Sequence, residues 1–206
     1  MAQDNKIASK VAFDHQAPVY DTTYYGKHAR SSHQYLIDRV CRTPFQSVLD
    51  IGCGTGSVLK GILDFKGDSI KAYGLDISKQ MLVRARMKLH DRAILVEGDS
   101  EYLPFESGTM DCVICCDSFH HYPSPTQALS EMHRVLVKDG TLFLCDCWYP
   151  KVVRAIVNFS IRFAKSGDVK MYSRYDMANL LAKAGFKAIG WDVVNTRSFL
   201  VNGKKI

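Results

Sequence analysis

The sequence predicts an α/β protein with a doubly wound sheet of seven strands, mostly parallel, an antiparallel C-terminal hairpin and an N-terminal helical cap. From residue 47 onward, short apolar runs alternate with stretches in which apolar residues recur at helical spacing. This alternation is typical of βαβ units and a parallel sheet. The last two apolar runs have no helix between them, so we expect them to pair as an antiparallel hairpin.

The first half of the chain supplies the cap and three strands. Residues 1–45 are more polar, rich in Tyr and His, and precede the sheet as the cap. Helical spacing follows the first and second strands, and Ser78 is placed to cap the second of these helices. The strands are predicted over residues 47–51, 70–75 and 93–96.

The second half supplies four strands, and capping pairs locate two of its helices. Ser124 with Gln127, and Ser173 with Asp176, have the spacing of capping boxes. The paired lysines at positions 204 and 205 are expected to form a solvated tail. The strands are predicted over residues 110–116, 141–145, 186–194 and 197–201.

The composition is that of an ordinary globular domain, with 206 residues, 47% hydrophobic, 23% charged and a formal net charge of +6. We expect one domain over residues 1–206, divided into a cap or lid (1–45), a cofactor-binding core (46–147) and a substrate side with the hairpin (148–206). The basic residues are not gathered in runs, which disfavours nucleic-acid binding. No apolar run is long enough for a transmembrane helix, and no signal-peptide pattern opens the chain.

Seven cysteines, an odd number, indicate reduced thiols and a cytoplasmic location. The spacing of Cys112 with Cys115, and of Cys145 with Cys147, invites a zinc interpretation. However, both pairs fall in predicted strands, where Cys112 and Cys115 would point to opposite faces. We therefore expect cysteines that pack in the core and no metal site.

The first strand runs into a glycine-rich loop, with Asp50 followed by Gly52, Gly54 and Gly56. Glycines let a backbone turn sharply and approach a ligand closely, and the following helix points its free N–H groups at the same place. Dinucleotide-binding folds prefer a third glycine one position later, where this chain has Ser57. The loop predicts a nucleotide-like ligand of another kind.

The next two strands also end in carboxylates. Asp76 is placed to accept bonds from both hydroxyls of a ribose. Asp99 is placed to accept the exocyclic amine of an adenine, with Ile77 and Leu103 flanking the ring. The segment from Cys116 to Tyr122 follows the fourth strand and would lie beside the reactive end of the ligand. In a doubly wound sheet these strand ends meet at one edge.

Four segments together resemble the successive motifs of class I S-adenosylmethionine-dependent methyltransferases: residues 48–56, 74–78, 98–105 and 134–141. The chain is most similar to the branch that contains quinone-biosynthesis methyltransferases, over roughly residues 13–145. Thr141 departs from the pattern, since the family often has a second Gly there. The resemblance implies a Rossmann-like fold and S-adenosylmethionine as the cofactor.

The resemblance also implies roles for individual residues. Asp50 and the loop Gly52-Cys53-Gly54, continuing to Gly56, would hold the methionine part of the cofactor. The backbone of Ser100 would help Asp99 hold the adenine, and Cys116 would face the sulfonium. Tyr20 in the cap would reach the carboxylate end of the cofactor, a role for which Tyr24 and Tyr25 compete.

Methyl transfer requires alignment of acceptor and methyl group, and a general base only where the acceptor loses a proton. The candidate bases are His121 and Asp117, with His120 and Asp146 as further candidates. We expect a small-molecule acceptor of apolar character. Three other functions remain open: a nicotinamide-dependent oxidoreductase, disfavoured by Ser57; a cofactor-binding protein without turnover; and an RNA methyltransferase.

The segment 148–171 has two interpretations. Its apolar residues recur at helical spacing, with Lys151, Arg154, Arg162 and Lys165 on a basic side. Such a helix can pack its apolar face in the core and expose the basic one. Alternatively, with Trp148 and Tyr149 it can roof an apolar acceptor pocket, or rest on a membrane surface.

Overall fold

The computed structural model describes residues 2–161, 163–164 and 167–206; the side chains of residues 2, 3, 24–31, 188 and 189 are outside the description. The described chain forms one seven-stranded sheet in the order β3-β2-β1-β4-β5-β7-β6. This confirms the predicted strand number and the doubly wound topology. The strands are β1 (Ser47–Ile51), β2 (Lys71–Asp76), β3 (Ile94–Glu97), β4 (Met110–Cys116), β5 (Leu136–Cys147), β6 (Phe186–Asn195) and β7 (Ser198–Lys205).

Helices precede the sheet and connect its strands. The predicted cap is confirmed as α1 and α2, joined by a short 3-10 turn at Tyr20–Thr22. Two further 3-10 turns lie at His90–Arg92 and Phe119–His121. The α-helices are α1 (Ala2–Gln16), α2 (Tyr24–Cys41), α3 (Ser57–Lys66), α4 (Lys79–Leu89), α5 (Pro125–Val135), α6 (Lys151–Ile161) and α7 (Arg174–Lys183).

Strand order reverses beside β1. It pairs in parallel with β2 on one side and with β4 on the other. The helices that follow β1 and β4, α3 and α5, pack on opposite faces of the sheet and leave a crevice at the carboxyl ends of these strands. On the far side of β4, β7 pairs antiparallel with both β5 and β6, which confirms the C-terminal hairpin.

The sheet separates two apolar layers. One layer packs side chains of α2, α3 and α4 against it, including Leu36, Leu59 and Leu82. The other packs side chains of α5 and α7, including Met132 and Met177. Burying both faces requires continuous apolar strands, and all five residues of β1 are buried.

Two of the three predicted helix caps form, and the third does not. Ser78 caps α4 by accepting from Met81 N–H, and Ser173 forms a reciprocal capping box with Asp176. The predicted box at Ser124 is wrong, because that side chain makes no cap bond. The amide of Gln127 instead donates to the carbonyl of Glu101 at 3.3 Å. A tertiary partner has replaced the local one.

The C-terminal lysines are part of the sheet, so the expected solvated tail is wrong. Strand β7 continues to Lys205, whose Nζ donates to the carbonyl of Leu136 at 2.7 Å. Antiparallel pairing with β5 carries the strand beyond its predicted end at residue 201, since ladder hydrogen bonds stabilise residues that are not apolar.

Helix α6 does not pack its apolar face in the core. Of its residues only Ile161 is buried, while Val152, Ile156 and Phe159 are exposed. The interpretation of this segment as a core helix is therefore wrong. The basic positions 162 and 165 lie outside the described residues.

Candidate active site

A cavity of about 340 Å³ lies at the carboxyl ends of β1, β2 and β4. It is lined by twelve of the thirteen residues that the sequence assigned to the cofactor and to catalysis. Volumes of this order are usual for small-molecule sites. The twelve are Tyr20, Asp50, Gly52, Cys53, Gly54, Asp76, Ile77, Asp99, Ser100, Cys116, Asp117 and His121.

The glycine loop needs its glycines for different reasons. Gly52 has φ +75°, and a Cβ there would lie 2.0 Å from Ser118 Oγ. Gly54 has φ +52°, and a Cβ there would meet open space, so the cavity reaches the bare backbone. Gly56, which does not line the cavity, caps α3 and packs against Leu89. Its predicted role as a direct contact is not supported by this placement.

Asp50 stands at the base of the cavity as a buried carboxylate. Neither oxygen has a hydrogen-bond partner among the described residues. Burial raises the pKa of Asp50 to about 7, and the negative charge of Asp76 contributes. An unpaired buried polar group is costly, so this carboxyl is matched to a donor or a cation entering the cavity.

Asp76 is buried but holds the backbone around it. One oxygen accepts from Gly54 N–H at 2.7 Å and the other from Ser78 N–H at 2.8 Å. Burial raises the pKa of Asp76 to about 6, although these two hydrogen bonds favour the charged form. Each oxygen keeps a further lone pair, so Asp76 both shapes the loop and faces the cavity.

Asp99 is shared with the lid. Its carboxylate accepts from Lys6 Nζ of α1 at 2.7 Å and from Glu101 N–H at 2.9 Å. Lys6 also contacts the Glu101 carboxylate at 2.5 Å. An adenine amine would have to share Asp99 with Lys6, which the sequence did not reveal. Leu103 is buried in the core and does not line the cavity, whereas Met81 does, so the expected flanking role of Leu103 is wrong.

The cap covers the cavity. Tyr20 lines it, and burial together with the charge of Asp117 raises the pKa of this phenol. Phe13 of α1 lies edge-on to Tyr20, with ring centroids 6.4 Å apart. Asp14 accepts from Ser78 Oγ at 2.6 Å and ties α1 to the start of α4. The side chains of the rival candidates Tyr24 and Tyr25 lie outside the described residues.

Asp117 follows β4 and contacts α2 across the cavity. It has φ +48°, a conformation that Asp tolerates better than most residues. Its carboxylate accepts from Ser32 Oγ at 3.3 Å and lies 3.6 Å from His33 Nε2. His33 also lines the cavity. No sequence pattern indicated His33, because only the tertiary fold brings α2 to this strand end.

The two histidines after β4 differ in position and charge. His121 lines the cavity, whereas His120 and Asp146 lie behind it, so the sequence expectation that His120 and Asp146 are candidate bases is not supported. The ring Nδ1 of His120 donates to Asp146 at 2.5 Å. Burial alone would lower the pKa of His120, but the charge and hydrogen bond of Asp146 outweigh it and raise the pKa to about 9.

His121 is kept neutral beside that cation. Burial and the neighbouring charge of His120 lower the pKa of His121 to about 4. Its Nδ1 is buried without a hydrogen-bond partner in the described part of the chain, although Asp168 Oδ1 lies 3.3 Å away. A neutral imidazole at a cavity wall is able to accept a proton.

The cysteines pack as predicted. Cys112 belongs to one apolar layer and Cys115 to the other, so they point to opposite faces of the sheet. Three groups that contain ligand-type side chains do lie together: His33 with Cys116 and Asp117, His120 with Asp146 and Cys147, and His120 with His121 and Asp168. In the group that contains Asp146, the carboxylate is already engaged in hydrogen bonds with His120 and Cys147. The absence of a metal site stays a prediction.

The fold and the motif order agree with known methyltransferases. Residues 49–144 match the family model described as a methyltransferase domain. A putative methyltransferase from Haloferax volcanii, solved in complex with the Trm112 methyltransferase activator, superposes with a TM-score of 0.81 at 23% identity, covering 95% of this chain and 96% of that one. The chain therefore has a Rossmann-like methyltransferase fold, and its residues 49–144 match a methyltransferase domain.

Relatives of similar sequence include several methyltransferases, two of which are named for a lipid substrate. A probable methyltransferase ltbC of Aspergillus luteorubrus is 29% identical over 88% of this chain and 70% of its own length. A sterol 24-C-methyltransferase of Schizosaccharomyces pombe is 29% identical over 80% and 45%. A demethylmenaquinone methyltransferase of a Geobacillus strain is 29% identical over 63% and 58%. The match covers only about half the length of the last two.

Among the described residues, no helix combines the length and the apolar character that are needed to cross a membrane.

Proposed function

We propose that the protein transfers the methyl group of S-adenosylmethionine to a small apolar acceptor, in the cytoplasm. Asp50 and the glycine loop would hold the methionine part, Asp76 the ribose, and Asp99 with Ser100 the adenine. Ile77 would contact the ring, Cys116 would face the sulfonium, and Tyr20 would reach the carboxylate end. The sterol and demethylmenaquinone methyltransferases among the relatives support an apolar acceptor.

The unpaired carboxylate of Asp50 carries this proposal. It is fully buried, lacks a partner among the described side chains and faces the cavity beside the bare backbone of Gly54. A methionine ammonium is the complementary group, because it supplies both hydrogen-bond donors and positive charge. Asp76 at the next strand end is placed for a pair of hydroxyls. The donors and acceptors of the cavity thus fit the two ends of the cofactor.

The cofactor supplies an electrophilic methyl on a sulfonium, so the residues of the chain act mainly by holding and aligning. The lid residues Phe13 and Tyr20 line the cavity and would shield the bound cofactor from water. For an acceptor that loses a proton, the neutral imidazole of His121 is the first candidate base, and the Asp168 carboxylate, 3.3 Å from its Nδ1, would stabilise the resulting cation. Asp117 is the second candidate base.

Calorimetric titration with S-adenosylhomocysteine tests the proposal. We expect tight binding to the wild-type protein, at least tenfold weaker binding to Asp50→Asn, and unchanged binding to Asp111→Asn. Asp111 is a carboxylate at the opposite end of β4 that bonds Ser47 and Gln46. No binding to the wild-type protein would refute the proposal.

The alternatives are distinguished in the same series. A nicotinamide-dependent oxidoreductase would bind NAD or NADP in place of S-adenosylhomocysteine. A cofactor-binding protein without turnover would bind the cofactor but transfer no radiolabelled methyl group to any lipid or aqueous extract. An RNA methyltransferase would label RNA, with an affinity that falls steeply with salt.

A further inference from the structure

Helix α6 presents its apolar side chains to solvent. The exposed side chains are Val152 (72%), Ile156 (64%), Phe159 (63%) and, just beyond the helix, Phe163 (76%). Spacings of four, three and four residues place them along one stripe. The rings of Phe159 and Phe163 confirm this, with centroids 5.4 Å apart. Surface helices normally turn such a stripe towards the core, so core packing does not explain it.

The stripe does not roof the cavity either. No described residue from Trp148 to Met171 lines it, and Trp148 packs against the core instead. Of the interpretations that the sequence left for this segment, core packing and a pocket roof both disagree with the placement. The remaining interpretation is that the segment is a surface that contacts a partner.

In the sequence, the segment that carries the stripe has charged residues of one sign. From Trp148 to Gly167 the sequence has four basic residues, Lys151, Arg154, Arg162 and Lys165, and no acidic one. An apolar stripe in a basic segment is the pattern of helices that lie in the interface of anionic membranes, with apolar side chains among acyl chains and cations near phosphates.

We propose that α6 docks the protein on the surface of an anionic lipid membrane. A second copy of the chain fits this face less well. A two-fold contact would bring the same basic segment of both copies together, and like charges repel most where water is excluded. Lipid phosphates supply the opposite charge.

Docking through α6 would also position the site. Strand β5 leads into α6 at the edge of the sheet where the cavity lies. The chain after α6 returns to the turn behind that cavity, where Val169 N–H donates to the His120 carbonyl at 2.8 Å. Ser9 of the lid donates to the Gly167 carbonyl at 3.2 Å. An apolar acceptor dissolved in the membrane would then enter from the lipid side, a step that rests on the proposed function.

Vesicle sedimentation of the full chain tests the docking. The probes are vesicles of equal parts phosphatidylglycerol and phosphatidylcholine, and vesicles of phosphatidylcholine alone. We expect the wild-type protein to sediment with the anionic vesicles only, and less as salt rises. The variant Phe159→Asp with Phe163→Asp, and independently Val152→Asp with Ile156→Asp, should bind at least tenfold more weakly. Phe65→Asp is the matched control, since Phe65 is 70% exposed on α3.

Three results would overturn the proposal. The first is wild-type protein that stays in the supernatant, and the second is double variants that sediment as well as the wild type. The third is a wild-type dimer, by light scattering, that the double variants convert to monomers, because the face would then join copies of the chain. Binding of S-adenosylhomocysteine is measured on every variant. A wild-type protein that binds S-adenosylhomocysteine but no vesicles refutes docking alone. A wild-type protein that binds anionic vesicles but no S-adenosylhomocysteine refutes the proposed function alone.

Discussion

Replacing Asp50 by Asn should stabilise the protein without cofactor and weaken its binding of S-adenosylhomocysteine. The carboxyl has no hydrogen-bond partner in the part of the chain that the structure describes, and burial raises its pKa from 3.8 to about 7. An amide of the same shape carries no charge to bury, so it escapes most of the desolvation that the carboxylate suffers. The site would then sacrifice stability for binding, as functional sites commonly do.

The magnitude and its pH dependence follow from the raised pKa of Asp50. Between pH 3.8 and about 7 the folded protein holds this proton and the unfolded chain has lost it. The contribution of Asp50 to the free energy of unfolding therefore falls as pH rises through that window, and is constant above it. At about 1.4 kcal/mol for each pH unit, the loss amounts to about 4 kcal/mol.

Urea denaturation of both proteins at several pH values measures the difference. Asp50→Asn should be more stable than the wild type by up to about 4 kcal/mol at about pH 8, and by much less at about pH 4.5. Asp111→Asn, which loses partnered hydrogen bonds, should be less stable at both. A gain for Asp50→Asn that is absent at pH 8, or equal at both pH values, would refute the reasoning about this carboxylate.

Three further predictions concern the surroundings of the cavity. Asp76→Asn should weaken S-adenosylhomocysteine binding at least tenfold by calorimetry, and Asp76→Ala should also lower the melting temperature, because the Gly54 and Ser78 amides lose their acceptor. The pKa of His120 is raised from 6.5 to about 9, so the protonated ring stabilises the folded protein until the pH passes that value. The free energy of unfolding of the wild-type protein should therefore fall by about 3 kcal/mol between pH 6.5 and about 9. A His120→Gln variant that shows the same loss would contradict this. Lys6→Met should speed deuterium uptake across α1 more than Lys10→Met, whose ion pair is exposed; equal uptake would show that the lid is held in another way.

The sequence by itself determined the sheet and the ends of its strands. Apolar runs and helical spacing are local patterns, so they located every strand and placed Asp50, Asp76 and Cys116 at strand ends. A doubly wound sheet gathers such ends at one edge, which is why twelve of thirteen assigned residues share one cavity. The ends of the strands were predicted less accurately than their positions, because pairing with β5 extends β7 beyond its apolar part.

Only the tertiary structure decided which groups share a partner and which helix face stays uncovered. Lys6 meets Asp99 across 93 positions, and His120 meets Asp146 across 26, through contacts between elements that no local pattern encodes. The pKa values of His120 and His121 diverge for the same reason. The apolar stripe of α6 has the spacing of a core helix, yet it faces outward, because burial depends on what packs against a helix and not on its own sequence.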